Sequence, residues 1–313
     1  MYKLTMTLIL ASLSFFVMPF SARAQDYPLK VESNVREDKS VDFTFSKKDP
    51  GTYTIIFSFN SLRNTNAAER QVVTATGFSG RAFTLKPIDP NSSVGFSYRY
   101  SYIRGKVLRK YNQEFTYMLP YKEGTKVRVA EAGYVPARYF GNETPEDWKS
   151  YNFYTDQEDT VLASRKGLVV SVKDEYDTSD PGRAEFKSGM NEVVIEHPDG
   201  TFARYRGLKK GIFVKEGETV IPGTALGMNT KFNAESRQYN LAFHLYYLKS
   251  DDVESQRGQT LKTSKSLYGS ITPHFITEES QDSILSNRAN YTAAWNVDLI
   301  KKELSKKEIK NLR

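Results

Sequence analysis

Short runs of alternating apolar and polar residues follow one another through the first third of the chain. The run Val41-Asp42-Phe43-Thr44-Phe45 alternates strictly, as a strand with one buried face does. Turn-forming residues separate the runs, for example at Asp49-Pro50-Gly51. The pattern predicts strands at 40–45, 53–60, 70–76, 82–87, 95–103 and 114–119. About seven short strands in roughly ninety residues are typical of an immunoglobulin-like β-sandwich, a fold that hosts many functions.

A connector rich in Gly, Pro and charged residues leads into a second β-rich stretch. Strands are predicted there at 168–172, 192–196, 201–205, 212–214 and 240–248, and the turn His197-Pro198-Asp199-Gly200 joins two of them. The acidic stretch 174–180 is interpreted as a solvated loop, with a weak calcium-binding loop as the alternative. The second stretch therefore continues the β-rich pattern of the first.

The C-terminal end changes from strand to helix periodicity. Val297, Ile300 and Leu304 recur on one helical face, while the opposite face is rich in Lys and Glu. This pattern predicts one helix that docks on the domain or frays as a solvated tail. A helix that binds a partner or a membrane surface is the alternative, which Glu303 and Glu308 disfavour.

Residues 1–24 are typical of a cleavable export signal. Lys3 precedes an apolar run over residues 8–20, and small residues follow at positions 22 and 24. The apolar run is short for a bilayer-spanning helix, so an uncleaved membrane anchor is the weaker alternative. We expect cleavage before Gln25 and a mature chain that does not span a membrane.

The composition narrows the classes of function. The chain has no Cys, which excludes disulfides, a thiol nucleophile and a lipid-modified N-terminal Cys. An exported chain without disulfides is more typical of the bacterial periplasm or outer surface than of animal secretion. The formal net charge of +7 falls by two when the signal is removed, which leaves a mild positive charge that suits an anionic envelope polymer. No compact Arg cluster is present in the sequence, so a nucleic-acid partner is not expected.

These patterns divide the chain into five parts. A signal peptide at 1–24 precedes an immunoglobulin-like sandwich at 25–121, a connector at 122–147, a second β domain at 148–276 and a C-terminal tail with a helix at 277–313. The predicted fold class is all-β, with a short C-terminal helix.

Four segments of the second domain occur in an order that carries a family resemblance. They are 152–170, with Lys166-Gly167-Leu168; 191–208, with Tyr205-Arg206-Gly207-Leu208; 214–227, with Pro222-Gly223-Thr224-Ala225-Leu226-Gly227; and Asn240-Leu241-Ala242-Phe243-His244-Leu245. This order resembles the lysostaphin/LytM-type zinc metallopeptidases, which cut peptidoglycan cross-bridges, and the related lipoyl-like duplicated hybrid motif fold. The resemblance implies a LytM-like domain at 148–276, preceded by the β-sandwich that some exported members carry.

In that family, a His and an Asp of the first segment bind zinc together with a His from a His-x-His strand, and a Tyr-x-His motif supplies a catalytic His. The zinc activates a bound water, and the imidazoles move protons. In this chain the Asp position is Asn152, the catalytic His position is Arg206, and the His-x-His positions are Asn240 and Ala242. An amide is a poor zinc ligand, and a guanidinium repels zinc and cannot act as a base. The resemblance therefore implies a degenerate site.

The three histidines do not complete a zinc site. No His precedes His197, so the first-segment His is missing under any alignment. Trp148 is one candidate for the residue at its position. A two-residue shift would make His244 the last zinc ligand, but it would be a lone ligand. His197, at a hairpin corner, is interpreted as structural, and His274 as a surface or packing residue.

The sequence therefore favours an exported, non-catalytic LytM-like protein, periplasmic or extracellular in a bacterium, with no cofactor. Its former active-site groove is expected to bind a peptidoglycan fragment or a cell-wall hydrolase. The alternatives are an active zinc peptidoglycan endopeptidase with a divergent site, and an envelope scaffold that acts through the N-terminal sandwich. The candidate groove contacts are Arg206, Asn152, Asn240, His244 and Trp148. Arg206 leads because a guanidinium pairs well with carboxylates.

Overall fold

Strands are the main regular structure of the computed structural model, which describes residues 27–177, 189–231 and 235–310. The described residues contain three α-helices, each five or six residues long, so the predicted all-β fold class is confirmed. None of these described helices is long and apolar enough to cross a membrane. The predicted signal at 1–24 and residues 178–180 of the acidic stretch lie outside the described residues.

Six strands near the N-terminus form two three-stranded sheets that share one core. Phe43 meets Phe57 and Phe59 edge to face, with ring centroids 5.8 and 5.7 Å apart, so the buried faces of the two sheets lie against each other. The sheet orders are β1-β2-β5 and β4-β3-β6. The strands are β1 (Leu29–Val35), β2 (Val41–Lys47), β3 (Tyr53–Arg63), β4 (Arg70–Ala75), β5 (Ser79–Leu85) and β6 (Gly95–Arg104).

The other described strands form the second unit. They are β7 (Thr116–Met118), β8 (Lys126–Glu131), β9 (Tyr151–Thr155), β10 (Thr160–Leu162), β11 (Gly167–Lys173), β12 (Asn191–Glu196), β13 (Phe202–Leu208), β14 (Thr219–Val220), β15 (Ala225–Met228), β16 (Thr230–Lys231), β17 (Tyr239–Leu248), β18 (Tyr268–Ile271), β19 (His274–Ile276) and β20 (Asn290–Thr292). The helices are α1 (Val135–Phe140), α2 (Val297–Lys301) and α3 (Lys306–Lys310), with a 3₁₀ turn at Val253–Gln256.

A ten-stranded sheet is the framework of the second unit. Its order is β14-β11-β12-β13-β17-β9-β8-β20, and β16 and β18 also pair with β17. On β17, Leu241 and Phe243 are fully buried in the core. Because successive side chains of a strand point to opposite faces, Asn240, Ala242 and His244 lie on the other face of the sheet. This second face carries the candidate site.

The prediction that strand 114–119 belongs to the sandwich was wrong. Strand β7 pairs in parallel with β19, so the sandwich has six described strands and not about seven. Phe115 and Tyr117 are buried in the core of the second unit. Alternation identifies a strand, but the partner of that strand is set by contacts more than a hundred residues away along the chain.

Two further sequence predictions differ from the structure. The segment 212–214 is not a strand: Val214 is buried while Phe213 is exposed, and the segment packs as a loop. The C-terminal end forms two short helices, not one. Ser305 and Glu308 exchange side-chain-to-backbone hydrogen bonds of 2.7 and 3.3 Å, a capping box that starts α3 afresh.

The C-terminal helices are tied to the second unit by a buried arginine. The side chain of Arg165 is only 3% exposed and donates two hydrogen bonds to the Glu303 carboxylate, at 2.6 and 2.9 Å. A third goes to Asp199, at 2.9 Å. Lys166 pairs with Glu308 at 2.9 Å. These contacts and the burial of Ile300 hold α2 and α3 against the second unit, which is the first of the two predicted alternatives, a docked helix or a frayed tail.

The sandwich packs against one end of the large sheet. The amide of Thr52 donates to the Glu196 carboxylate at 2.8 Å, and the Tyr268 hydroxyl donates to the carbonyl of Arg104 at 2.8 Å. Gly51, at φ +82°, lies so close to Val170 that an added Cβ would be 2.4 Å from Cγ1 of that side chain. This contact places the end of β6 at the rim of the candidate site.

Candidate functional site

The positions that the family resemblance assigns to zinc and catalysis lie side by side on the second face of the sheet. Ala242 of β17 is paired with Asn152 of β9 on one side and with Arg206 of β13 on the other. Directly paired residues of antiparallel strands have Cβ atoms about 5 Å apart. Asn240 and His244 lie two residues from Ala242 along β17, one on each side. The register thus brings the predicted strand residues into one neighbourhood.

This row does not fit a zinc ion. It presents an amide, a methyl group and a guanidinium where zinc needs three anionic or imidazole ligands. Among the described residues, no group of three or more His, Asp or Glu side chains lies close enough to bind a metal. Nε2 of His244 lies 2.9 Å from the Ser270 hydroxyl. Burial, together with the charge of Arg204, lowers the pKa of His244 to about 3, so the imidazole is neutral but has no second ligand beside it.

A cavity of about 500 Å³ lies on the same face of the sheet. Arg204 and Arg206 of β13 lie in its floor with Glu192 of β12, and three other parts of the chain close it in. The sandwich contributes Arg104, and the β18 segment contributes Tyr268. The connector contributes the start of α1, at 134–136, so this segment is a wall of the cavity as well as a linker.

Three of the five predicted contacts line this cavity: Arg206, His244 and Trp148. The Trp148 ring lies 4.9 Å from the His244 ring, and its Nε1 donates to the carbonyl of Ala132 at 2.8 Å. Asn152 and Asn240 do not line the cavity, although they share its sheet face. Asn240 is 8% exposed, which leaves it little surface for a ligand.

The sequence prediction did not name most of the lining residues, among them Arg204, Arg104, Tyr246 and Tyr268. Arg204 could have been found, because residues two apart on a strand share a face and Arg206 was already identified. Tyr246 has the same relation to His244. Arg104 reaches the cavity only through the packing of the sandwich on the sheet, and Tyr268 only through the pairing of β18 with β17, so local sequence patterns do not reveal either.

The cavity carries a positive charge. Glu192 Oε2 lies 3.9 Å from Nε of Arg204 and 3.8 Å from Nε of Arg206, so one carboxylate faces two guanidinium groups without a close hydrogen bond in either pair. Arg104 has its own partner, Asp49, at 3.0 Å. Burial raises the pKa of Tyr246, so its hydroxyl is neutral. The lining of the cavity, with three arginines and one glutamate, therefore presents more positive than negative groups.

Residues interpreted as structural in the sequence lie away from the cavity. His197 is 2% exposed, and its Nδ1 lies 2.8 Å from the carbonyl of Lys166. Burial and the charge of Arg165 lower its pKa to about 3. His274 Nδ1 lies 2.8 Å from Asp282 Oδ1. In the acidic stretch, the Asp174 carboxylate accepts hydrogen bonds from the backbone amides of residues 211 and 212, which gives it a structural partner.

No protein-family model and no curated protein matches the chain. Among solved structures it is similar to the M23 metalloprotease pseudoalterin from the deep sea, at 18% identity over 58% of this chain and 96% of that one, with a TM-score of 0.31. A chain of the SpoIIQ–SpoIIIAH pore-forming complex matches at 18% identity over 47% of this chain and 99% of its own length, with a TM-score of 0.30. A zinc-containing peptidase from Vibrio cholerae matches at 13% identity over 69% and 74%, with a TM-score of 0.26.

Proposed function

We propose that this protein is an exported, non-catalytic relative of the LytM-type peptidases that binds its ligand in the cavity described above. The observation that carries the proposal is the row Asn152–Ala242–Arg206, which occupies the place of the metal and the catalytic His with residues that can do neither task. A binding protein needs a shaped cavity with a few placed polar groups, which the sheet face provides.

The ligand class follows from the charge of the cavity and from the resemblance. A guanidinium binds a carboxylate through two parallel hydrogen bonds, and Arg206 presents such a group beside Arg204. Peptidoglycan stem peptides and acidic segments of a cell-wall hydrolase both carry carboxylates. We therefore propose a peptidoglycan fragment as the ligand, with a cell-wall hydrolase as the second candidate and the periplasm or cell exterior as the location.

The test combines metal analysis with binding. The purified mature chain is expected to contain no stoichiometric zinc, to leave peptidoglycan fragments uncut when products are followed by mass spectrometry, and to sediment with insoluble peptidoglycan. Arg206→Gln should weaken the sedimentation, and Arg81→Gln, an exposed arginine of the sandwich, serves as the matched control. One zinc per chain together with cleavage would overturn the proposal in favour of an active peptidase.

A hydrolase partner gives a different result in the same assay. In that case the chain does not sediment with peptidoglycan, but it binds a purified cell-wall hydrolase and changes the rate of that enzyme. Arg206→Gln should weaken this effect too, because both candidate ligands enter the same cavity. If the chain binds neither peptidoglycan nor a cell-wall hydrolase, the proposed function is refuted.

A further inference from the structure

We propose that Arg204, together with Tyr246, forms a subsite for one free carboxylate of a peptide, so that the cavity prefers a peptide with a free terminal carboxylate over the same peptide with a terminal amide. This inference rests on the proposed function and names the group that the cavity recognises. The subsite lies two residues along β13 from the row Asn152–Ala242–Arg206, because Arg204 is paired with His244 and Arg206 with Ala242.

The guanidinium of Arg204 lies against an aromatic ring and faces a carboxylate without a hydrogen bond to it. It lies over the Tyr246 ring, with 5.3 Å between its central carbon and the ring centroid. Its nearest carboxylate, Glu192, is 3.9 Å away, beyond hydrogen-bond range. The side chain is 41% exposed, so its outer nitrogens can be reached from the cavity.

The inner part of the same group is already desolvated. In the described part of the chain, Nε of Arg204 is buried and has no hydrogen-bond acceptor. Folding has therefore removed water from this atom without giving it a replacement, which makes the cation more responsive to an added anion than a fully hydrated arginine. Arg104 differs, because it already donates to Asp49 and to the carbonyl of Pro50, both at 3.0 Å.

The lining of the cavity favours an anionic group. It contains three arginines, Arg104, Arg204 and Arg206, and one carboxylate, Glu192. Because Arg104 already donates to Asp49, Arg204 is the guanidinium that we assign to the carboxylate of the ligand. The remaining volume, about 500 Å³ between aromatic side chains, is enough for a short peptide that packs against those rings.

The experiment uses one peptidoglycan stem peptide in two forms, with its terminal carboxylate free and with the same carboxylate amidated. Binding to the full mature chain is followed by titration calorimetry and by the fluorescence of Trp148, which lines the cavity. We expect the free acid to bind about tenfold to a hundredfold more tightly, the range that charge-assisted hydrogen bonds of roughly 1.5–3 kcal/mol give. Equal affinity for the two forms overturns the subsite, and so does a lack of binding by both.

Variants assign the preference to one residue. Arg204→Gln should abolish the preference for the acid, Arg204→Lys should retain part of it because the charge stays while the planar fork is lost, and Arg81→Gln should leave it unchanged. A preference that survives Arg204→Gln in a folded protein overturns the assignment. The two proposals fail separately: peptidoglycan binding without preference for the acid refutes only the subsite, while a chain that binds neither cell-wall material nor a cell-wall hydrolase refutes the proposed function as well.

Discussion

The stability of the folded chain should fall as the pH is lowered from 7.5 to 5.0, because two histidines are buried in their neutral form. The folded pKa values of His197 and His244 are both lowered to about 3, first by burial and then by a neighbouring arginine. In the unfolded chain an imidazole takes up its proton near pH 6.5. Between about pH 6.5 and pH 3 the unfolded chain therefore binds more protons than the folded chain, and stability decreases as the pH falls.

The size of the effect follows from these values. For one histidine with pKa values of 6.5 unfolded and about 3 folded, the linkage relation gives a loss of roughly 2 kcal/mol between pH 7.5 and pH 5.0. Two such residues give roughly 4 kcal/mol, a large part of the stability of a typical domain. Most carboxylates stay ionised above pH 5, so this window reports mainly on the histidines.

The assay is urea unfolding of the purified chain at several pH values, with the free energy of unfolding extrapolated to water. His197→Gln and His244→Gln should each remove about half of the pH dependence, whatever their effect on stability at pH 7.5. The slope against pH is thus separated from the cost of the substitution itself. A free energy of unfolding that stays constant from pH 7.5 to 5.0, or variants with the full slope of the wild type, would refute the reasoning.

Three further predictions concern the C-terminal contact, the contact between the two units and the positions that the family resemblance assigns to metal ligands. Glu303→Gln should lower the free energy of unfolding, measured with urea, by about 3 kcal/mol, because it removes one partner of buried Arg165 while Asp199 remains. Asp298→Asn, at an exposed position of α2, is the neutral control. Gly51→Ala should lower the free energy of unfolding by about 2–4 kcal/mol, because the added Cβ would clash with Val170 and the residue has a positive φ. The weaker contact between the two units should appear as faster proteolysis between them. The combined substitutions Asn152→Asp, Ala242→His and Arg206→His should create a zinc site. After dialysis we expect this variant to retain about one zinc per chain and the wild type to retain none. A triple variant that remains metal-free would show that the strand register does not bring these positions within reach of one ion.

Strand positions could be predicted from the sequence because they depend on local periodicity. The runs around Phe43 and Phe243 were correctly predicted as strands, because alternation of side chains and short turns depend on only a few neighbouring residues. The same pattern did not reveal that β7 pairs with β19. Strand pairing is a long-range contact, and an apolar strand face fits several partners until the rest of the core is in place.

In the candidate site, too, the sequence predicted what depends on single positions and did not predict what depends on long-range contacts. The residues at the positions that the family resemblance assigns to a zinc ligand and to the catalytic His, Asn152 and Arg206, could be read from the sequence, because the chemistry of a position is fixed by its residue type. Arg204 lies two residues from Arg206 on β13, and Tyr246 lies two residues from His244 on β17, so the alternation rule could have identified both as contacts. Both line the cavity.

What the sequence determines by itself is which side chains are available for chemistry. No His precedes His197, so the first segment of the family resemblance cannot supply an imidazole. What only the tertiary structure decided is the cavity on the sheet face. Arg104 from the sandwich and Tyr134 from the connector reach the sheet face through packing between segments far apart in the chain, and Trp148 is placed against His244 by the same packing. The shape and charge of a cavity are properties of that packing, so they follow from the whole core and from no single motif.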